Sequence, residues 1–166
     1  MEVDLLNFKL RLTQARNFDE VFEIVKASVE DVLGLHRAGL TLVLADLPNG
    51  IGAYHISGSN AIVLNRSILD AVRSVTRSEE QLNSFIYSIL THEYLHSLGY
   101  VEESQVRPLV RRISQESLGP GHPSVTMASG DLFSLYPQLR ALGEGKLGED
   151  FEIIKEFDRS SMPYIG

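Results

Sequence analysis

Two histidines and a glutamate fall within one helical turn in the stretch His92-Glu93-Tyr94-Leu95-His96. Side chains four residues apart lie on the same face of an α-helix, so both imidazoles can reach a single metal ion. A glutamate directly after the first histidine can then reach a water molecule bound to that ion. This HExxH pattern predicts zinc-assisted hydrolysis with Glu93 as the general base.

The sequence around this motif predicts a long helix that begins at Ser78 and ends before Gly99. Ser78 followed by Gln81 is a capping box, and glycine is the residue that most often ends a helix. Apolar Phe85 and Ile89 precede the two histidines on the same helical stripe. The helix should therefore bury its first half and present the histidines at the edge of the core, where a cleft can form.

The remaining pattern predicts an α+β fold, in which a small mixed sheet is backed by helices. Apolar runs predict three strands, at residues 40–45, 53–56 and 61–64. A hairpin connection is predicted between the second and the third. Periodicity of three and four predicts further helices at residues 17–33, 67–75 and 102–117. We expect a single catalytic domain over residues 1–148 and a C-terminal tail over residues 149–166.

Composition excludes several classes of protein. The chain has 166 residues and no cysteine, so it can form neither a disulfide nor a thiolate zinc site. No apolar run approaches the roughly 20 residues that span a bilayer, and the acidic N-terminus is unlike a signal peptide. We therefore expect a cytoplasmic protein without a membrane partner. The net charge of −7 argues against nucleic acid as the main partner. The oligomeric state is not predicted.

The stretch from His92 to Gly99, preceded by strands and a backing helix, resembles the zincin metallopeptidases over roughly residues 20–122. The small size is similar to compact single-domain zincins such as the minigluzincins. The resemblance implies one zinc ion and a peptide or protein substrate. In that family an edge strand above the active-site helix holds an extended peptide by main-chain hydrogen bonds. The segment in the corresponding place is Ala61, Ile62, Val63 and Leu64.

A catalytic zinc ion usually has three protein ligands, and the third is less certain than His92 and His96. His122 is favoured because its loop, Gly119-Pro120-Gly121-His122-Pro123, is rigid, and because SprT-like zincins use a third histidine from further along the chain. The alternatives are acidic residues on the next predicted helix. Glu102 stands where metzincins carry their third histidine. Gluzincins use a glutamate from the following helix, and Glu102, Glu103 or Glu116 could serve in that role. Two histidines and an oxygen ligand also suit other divalent ions.

Two other functions stay open. His92, His96, Gly99 and Tyr100 also resemble the HxxxHxxGYxH pattern of the YbeY-type endoribonucleases, although Glu102 replaces a histidine of that pattern. The second alternative is a latent or non-catalytic binding protein with a zincin-like fold. The tail motivates the latent form, because the apolar segment from Phe157 to Ile165 could lie in the cleft like a substrate.

Overall fold

The computed structural model describes residues 2–129, 131–148, 150–155 and 157–158. These residues form a mixed α+β fold with one four-stranded sheet, as the sequence predicts. The helices are α1 (Glu2–Gln14), α2 (Phe18–Leu33), α3 (Arg66–Val75), α4 (Glu79–Ser97), α5 (Glu103–Leu118), α6 (Pro123–Ser129) and α7 (Leu132–Leu135), with a 3-10 helix at Pro137–Leu142. The strands are β1 (Thr41–Ala45), β2 (Ala53–His55), β3 (Ala61–Asn65) and β4 (Phe151–Ile154).

The sheet has the order β2-β3-β1-β4, which corrects one prediction. β3 pairs in parallel with β1 through the register Thr41↔Ala61, and it pairs antiparallel with β2 on its other side. Ala61, Ile62, Val63 and Leu64 therefore lie in the interior of the sheet and are not an edge strand. The predicted hairpin is present, but β2 is its outer strand because β1 already covers the opposite side of β3.

The C-terminal part of the chain completes the sheet and the core. β4 pairs antiparallel with β1 through Leu42↔Ile154 and Ala45↔Phe151, so residues beyond the predicted boundary at 148 belong to the same unit. Phe157 is buried and its ring stacks on Phe22 of α2 with a centroid distance of 4.3 Å. The described part of the predicted tail therefore packs against β1 and α2. Residues 159–166, which contain most of the apolar segment from Phe157 to Ile165, lie outside the described residues.

Helix α4 is the central element, because it packs against α1, α2, α5, α6 and β2. Its start agrees with the sequence, since the Ser78 hydroxyl accepts a hydrogen bond from the Gln81 N–H at 3.2 Å. Its buried side includes the fully enclosed rings of Tyr87 and Tyr94. None of the described helices is both long enough and apolar enough to cross a membrane.

The end of α4 is a Schellman motif that turns the chain toward α5. Gly99 has a φ of +107°, its N–H bonds to the His96 carbonyl, and the Tyr100 N–H bonds to the Leu95 carbonyl at 3.2 Å. A positive φ is easily adopted by glycine and is unfavourable for other residues, which explains the residue type. The turn brings Glu103, the first residue of α5, back to the last turns of α4.

Candidate metal centre

Three side chains that can ligate metal converge where α4 ends and α5 begins. The His92 Nε2 atom lies 3.0 Å from both carboxylate oxygens of Glu103. The His96 Nε2 atom lies 2.7 Å from Glu103 Oε1. Helical spacing places the two imidazoles on one face of α4, as predicted, and the Schellman turn delivers the carboxylate. We refer to His92, His96 and Glu103 as the donor set.

The backbone fixes the orientation of one imidazole. His96 Nδ1 lies 2.7 Å from the Tyr100 carbonyl oxygen. Because a carbonyl only accepts, Nδ1 donates this hydrogen bond, and Nε2 is the nitrogen that faces Glu103 and that would ligate a metal ion. Metal-binding histidines commonly hold their second nitrogen in this way. The glycine turn at the end of α4 thus also selects the tautomer that a metal site needs.

The donor set fits a divalent ion. One ligand atom from each of its residues lies within 4.8 Å of the other two. A tetrahedral zinc ion with bonds of about 2.0 to 2.1 Å holds its ligand atoms roughly 3.3 Å apart, so only small side-chain shifts separate the observed contacts from coordination. Two imidazoles and one carboxylate leave at least one coordination position open. The same donors suit several divalent ions, so the site alone does not identify the metal.

Glu93, the predicted general base, is a buried carboxylate beside the donor set. Its side chain is 5% exposed and lines the same cleft as His92 and Glu103. Its Oε2 atom has no hydrogen-bond partner among the described residues. Burial raises the pKa of Glu93 to about 7; His96 acts to lower this pKa, and the negative charge of Glu103 acts to raise it further. The side chain can therefore exchange a proton near neutral pH.

The pKa shifts of His92 and Glu103 favour the protonation states that bind metal. Burial lowers the pKa of His92, although Glu103 opposes this shift, so the neutral ligating imidazole is favoured. For Glu103, partial burial alone would raise the pKa, but its contacts with His92 and His96 lower the pKa overall. The carboxylate is thus ionised and the His92 imidazole neutral at neutral pH, which are the forms that bind metal.

A cleft of about 350 Å³ opens beside the donor set and Glu93. One wall is apolar and comes from α4, α5 and α6, including Phe85, Ile89, Val110 and Met127. The short helix α7 adds Leu132, whose Cδ2 atom lies 3.5 Å from the position that a Cβ atom on Gly52 would occupy. The opposite wall is the segment Gly50–Ala53, which leads into β2. The cleft therefore joins the donor set to a sheet edge.

Strand β2 leaves one edge of its backbone unpaired in the described sheet. The Asn65 N–H bonds to the Gly52 carbonyl, and the Ile56 N–H bonds to the Ala61 carbonyl. In an antiparallel pair every second residue bonds to its neighbouring strand. The bonding positions are therefore Gly52, Tyr54 and Ile56, so the N–H and C=O groups of Ala53 and His55 point to the free edge.

His122, the favoured third ligand, does not join the donor set. It is buried at 3% exposure, and its Nδ1 atom bonds to the Ser124 hydroxyl and N–H at the start of α6. The nearest charges acting on it are those of Glu80 and Lys9. Glu80 precedes His92 by twelve residues on α4, which is about 18 Å along the axis. His122 thus lies near the opposite end of α4 from the donor set.

The three acidic alternatives to His122 as the third ligand lie in different surroundings. Glu103 is the carboxylate that meets both histidines. Glu102 is the exposed residue that precedes α5, and its side chain makes no capping hydrogen bond. Glu116 is exposed and pairs with Arg112 at 3.0 Å. It follows Glu103 by thirteen residues, or about 20 Å along α5.

Sequence reasoning missed two features of the cleft. The first is the wall at Gly52 and Ala53, whose only signal was the glycine-rich turn before the second strand. The second is the position of Arg107, which the sequence assigns to the basic outer face of its helix, favoured as a solvated surface over a patch for an anionic ligand, but which lines the cleft one turn after Glu103. Its signal was the Glu103–Arg107 spacing of four residues, which places both side chains on one helical face.

Comparison with protein-family models, with curated proteins and with solved structures finds no match to this chain.

Proposed function

We propose that this chain is a zinc-dependent peptidase in which His92, His96 and Glu103 hold the ion and Glu93 is the general base. The observation that carries the proposal is the unpaired, buried carboxylate of Glu93 next to a converging donor set. Burying a carboxylate without a partner is unfavourable, and such groups concentrate at functional sites. The proposal also includes a compact, zincin-like fold for this chain.

The chemistry divides between the ion and the chain. A bound zinc ion supplies Lewis acidity, which polarises a scissile carbonyl and lowers the pKa of a water molecule. Glu93 accepts a proton from the attacking water, because its carboxylate lines the cleft directly beside the donor set. A pKa near 7 lets it return that proton to the leaving amine. The Tyr100 carbonyl keeps His96 oriented throughout.

Strand β2 supports a peptide as the substrate. An extended peptide can add to a free sheet edge through main-chain hydrogen bonds, and the free groups of Ala53 border the cleft. This places β2 in the role that the zincin resemblance assigned to residues 61–64. A peptide on this edge would cross the cleft in front of Glu93 and the donor set.

The electrostatics of the cleft favour a peptide over RNA. Among the described residues, its lining contains three carboxylates, those of Glu93, Glu103 and Asp131, and one arginine or lysine, Arg107. Binding of a polyanion depends on several lysine or arginine contacts to phosphate groups. The proposal therefore ranks peptide hydrolysis above YbeY-type RNA cleavage.

The experiment begins with the full chain loaded with zinc, followed by incubation with a library of internally quenched peptides. We expect hydrolysis by the wild type and a loss of at least about 100-fold in Glu93→Gln, because general bases contribute roughly that factor or more. Glu93→Gln should still bind one zinc ion, since Glu93 is outside the donor set. Glu102→Gln is the matched control, because Glu102 is a nearby but exposed carboxylate, and it should keep full activity.

Two results would overturn the proposal. The first is peptide hydrolysis that survives Glu93→Gln unchanged. The second is zinc-dependent cleavage of a structured RNA in the absence of any peptide cleavage, which would favour the ribonuclease. Zinc binding without either activity would favour the non-catalytic binding protein.

A further inference from the structure

Arg107 is the single basic side chain among the described residues that line the cleft. It lies on α5, one turn after Glu103, so it points to the same side as the donor set. Its positive charge also acts on His92, whose pKa it helps to lower. The guanidinium is therefore part of the surroundings of the donor set, even though it is not a metal ligand.

The guanidinium has donor capacity left for a ligand. Its Nε atom lies 3.6 Å from Glu103 Oε2, and Glu103 is its one ion-pair partner among the described residues. The side chain is 57% exposed. An arginine has five N–H donors, and the four on its two terminal nitrogens are not used by this contact. These donors stand at a cleft that reaches from the donor set to the β2 edge.

An arginine side chain beside a cleft is well suited to bind a carboxylate group. Its planar fork donates two parallel hydrogen bonds to the two oxygens of a carboxylate. Metal coordination by Glu103 would draw the negative charge of that side chain toward the ion. Arg107 would then lose part of its present partner and be better able to pair with an incoming anion.

We propose that Arg107 binds a carboxylate of the peptide substrate and so sets the specificity of the cleft. This inference rests on the proposed peptidase function. The carboxylate has two possible sources, either the free C-terminus of the peptide or an aspartate or glutamate side chain. A C-terminal carboxylate would make the enzyme an exopeptidase, whereas an acidic side chain would make it an endopeptidase with acidic preference.

The test measures peptide binding to the full chain carrying Glu93→Gln and loaded with zinc, so that no probe is cleaved. The probes are four N-acetylated hexapeptides of alanine and leucine. One pair differs only in a C-terminal carboxylate or amide. The other pair, amidated at the C-terminus, carries a central glutamate or glutamine. Dissociation constants are measured for the Glu93→Gln protein and for two double variants, in which Glu93→Gln is combined with Arg107→Gln or with Arg112→Gln.

Arg112→Gln is the matched control. Arg112 lies on the same helix, is 56% exposed and forms the same four-residue pairing with Glu116 that Arg107 forms with Glu103. It does not line the cleft. We expect the carboxylate member of at least one pair to bind about fivefold more tightly than its neutral partner, as for an exposed ion pair. Arg107→Gln should abolish this difference, and Arg112→Gln should retain it.

Several results would overturn the inference. They are equal binding of both members of each pair, a carboxylate preference that survives Arg107→Gln, and no binding of any probe. Zinc content is measured for every variant, because a loss of zinc in Arg107→Gln would mean that Arg107 acts on Glu103 instead. Failure of the proposed function is distinguishable, since the wild type would then cleave none of the probes while the Arg107-dependent preference persisted.

Discussion

Asp158 and Glu93 are both nearly inaccessible carboxylates, but their surroundings differ. Asp158 is 5% exposed, and its oxygens accept hydrogen bonds from the Lys26 ammonium group and, at 2.9 Å, from the Leu40 N–H. Lys26 is buried as well and also lies 3.1 Å from Glu23. This core ion pair, Lys26–Asp158, has its charges matched within the fold.

Glu93 has no such arrangement. Its Oε2 atom lacks a hydrogen-bond partner among the described residues, and the nearest carboxylate, that of Glu103, adds negative charge. The core ion pair satisfies its charges by contacts within the fold, whereas the Glu93 Oε2 atom has no such contact among the described residues. Under the proposed function, this difference distinguishes groups that stabilise the fold from a group that serves a site.

The largest expected effect comes from breaking the core ion pair. Lys26→Met leaves the Asp158 carboxylate buried without its counter-charge, which costs about 3 to 5 kcal/mol in comparable buried pairs. Urea denaturation measures the change in the free energy of unfolding. Adding Asp158→Asn should restore part of the loss, and zinc affinity of the folded fraction should not change. A loss below about 1 kcal/mol would contradict the assignment.

The second effect is a pH dependence of stability that originates at Glu93. Its pKa is 4.5 when unperturbed and about 7 in the fold, so the folded chain binds more protons between these pH values. Stability must then fall as the pH rises from 4.5 to 7, by roughly 3 kcal/mol for the whole shift. Unfolding of the metal-free protein at several pH values measures this slope.

Glu93→Gln isolates that contribution, because glutamine does not titrate. We expect the difference in unfolding free energy between wild type and variant to move in favour of the variant as the pH rises. Parallel pH profiles for the two proteins would show that the pKa of Glu93 is not raised in the folded state.

The third effect separates two glutamates on α5. Glu103→Gln removes a ligand and should weaken zinc binding by at least about 10- to 100-fold, the loss seen even for groups that only support ligands. Glu116→Gln, on an equally exposed glutamate that pairs with Arg112, should leave zinc affinity unchanged. Competition with a chelator of known affinity measures both. Equal affinity of the two variants would remove Glu103 from the donor set.

The smallest effect concerns the turn that supports the donor set. Gly99→Ala places a side chain on a residue with a φ of +107°, which should cost about 1 to 2 kcal/mol in stability. No neighbouring atom would clash with the added methyl group, so the cost is conformational. We also expect weaker zinc binding, because the turn positions the Tyr100 carbonyl against His96. Gly50→Ala, at a glycine without positive φ and with open space around it, is the control for an added methyl group.

Local features of the site could be predicted from the sequence. The His92–His96 pairing follows from helical spacing alone, and the limits of α4 follow from Ser78 and Gly99. Strands β1, β2 and β3 also lie close to their predicted positions, because apolar runs bounded by turns are local signals. The mixed α+β class follows from these elements together.

Features that depend on contacts distant in sequence could not be predicted. The choice of Glu103 over His122 depends on how the turn after Gly99 directs α5, and the rigid loop of His122 lies near the other end of α4. Whether β2 or β3 forms the sheet edge depends on which side of β3 is taken by β1. The position of Phe157 depends on its stacking with Phe22, which is 135 residues earlier in the chain.

The central claim is that His92, His96 and Glu103 hold one divalent ion. The most direct measurement is calorimetric titration of the metal-free full chain with zinc, for the wild type and for the double variant His92→Gln and His96→Gln. We expect one ion per wild-type chain and none at the same concentrations for the double variant, with the fold of both retained by circular dichroism. A wild type that binds no zinc, or a double variant that binds it equally well, would contradict the claim.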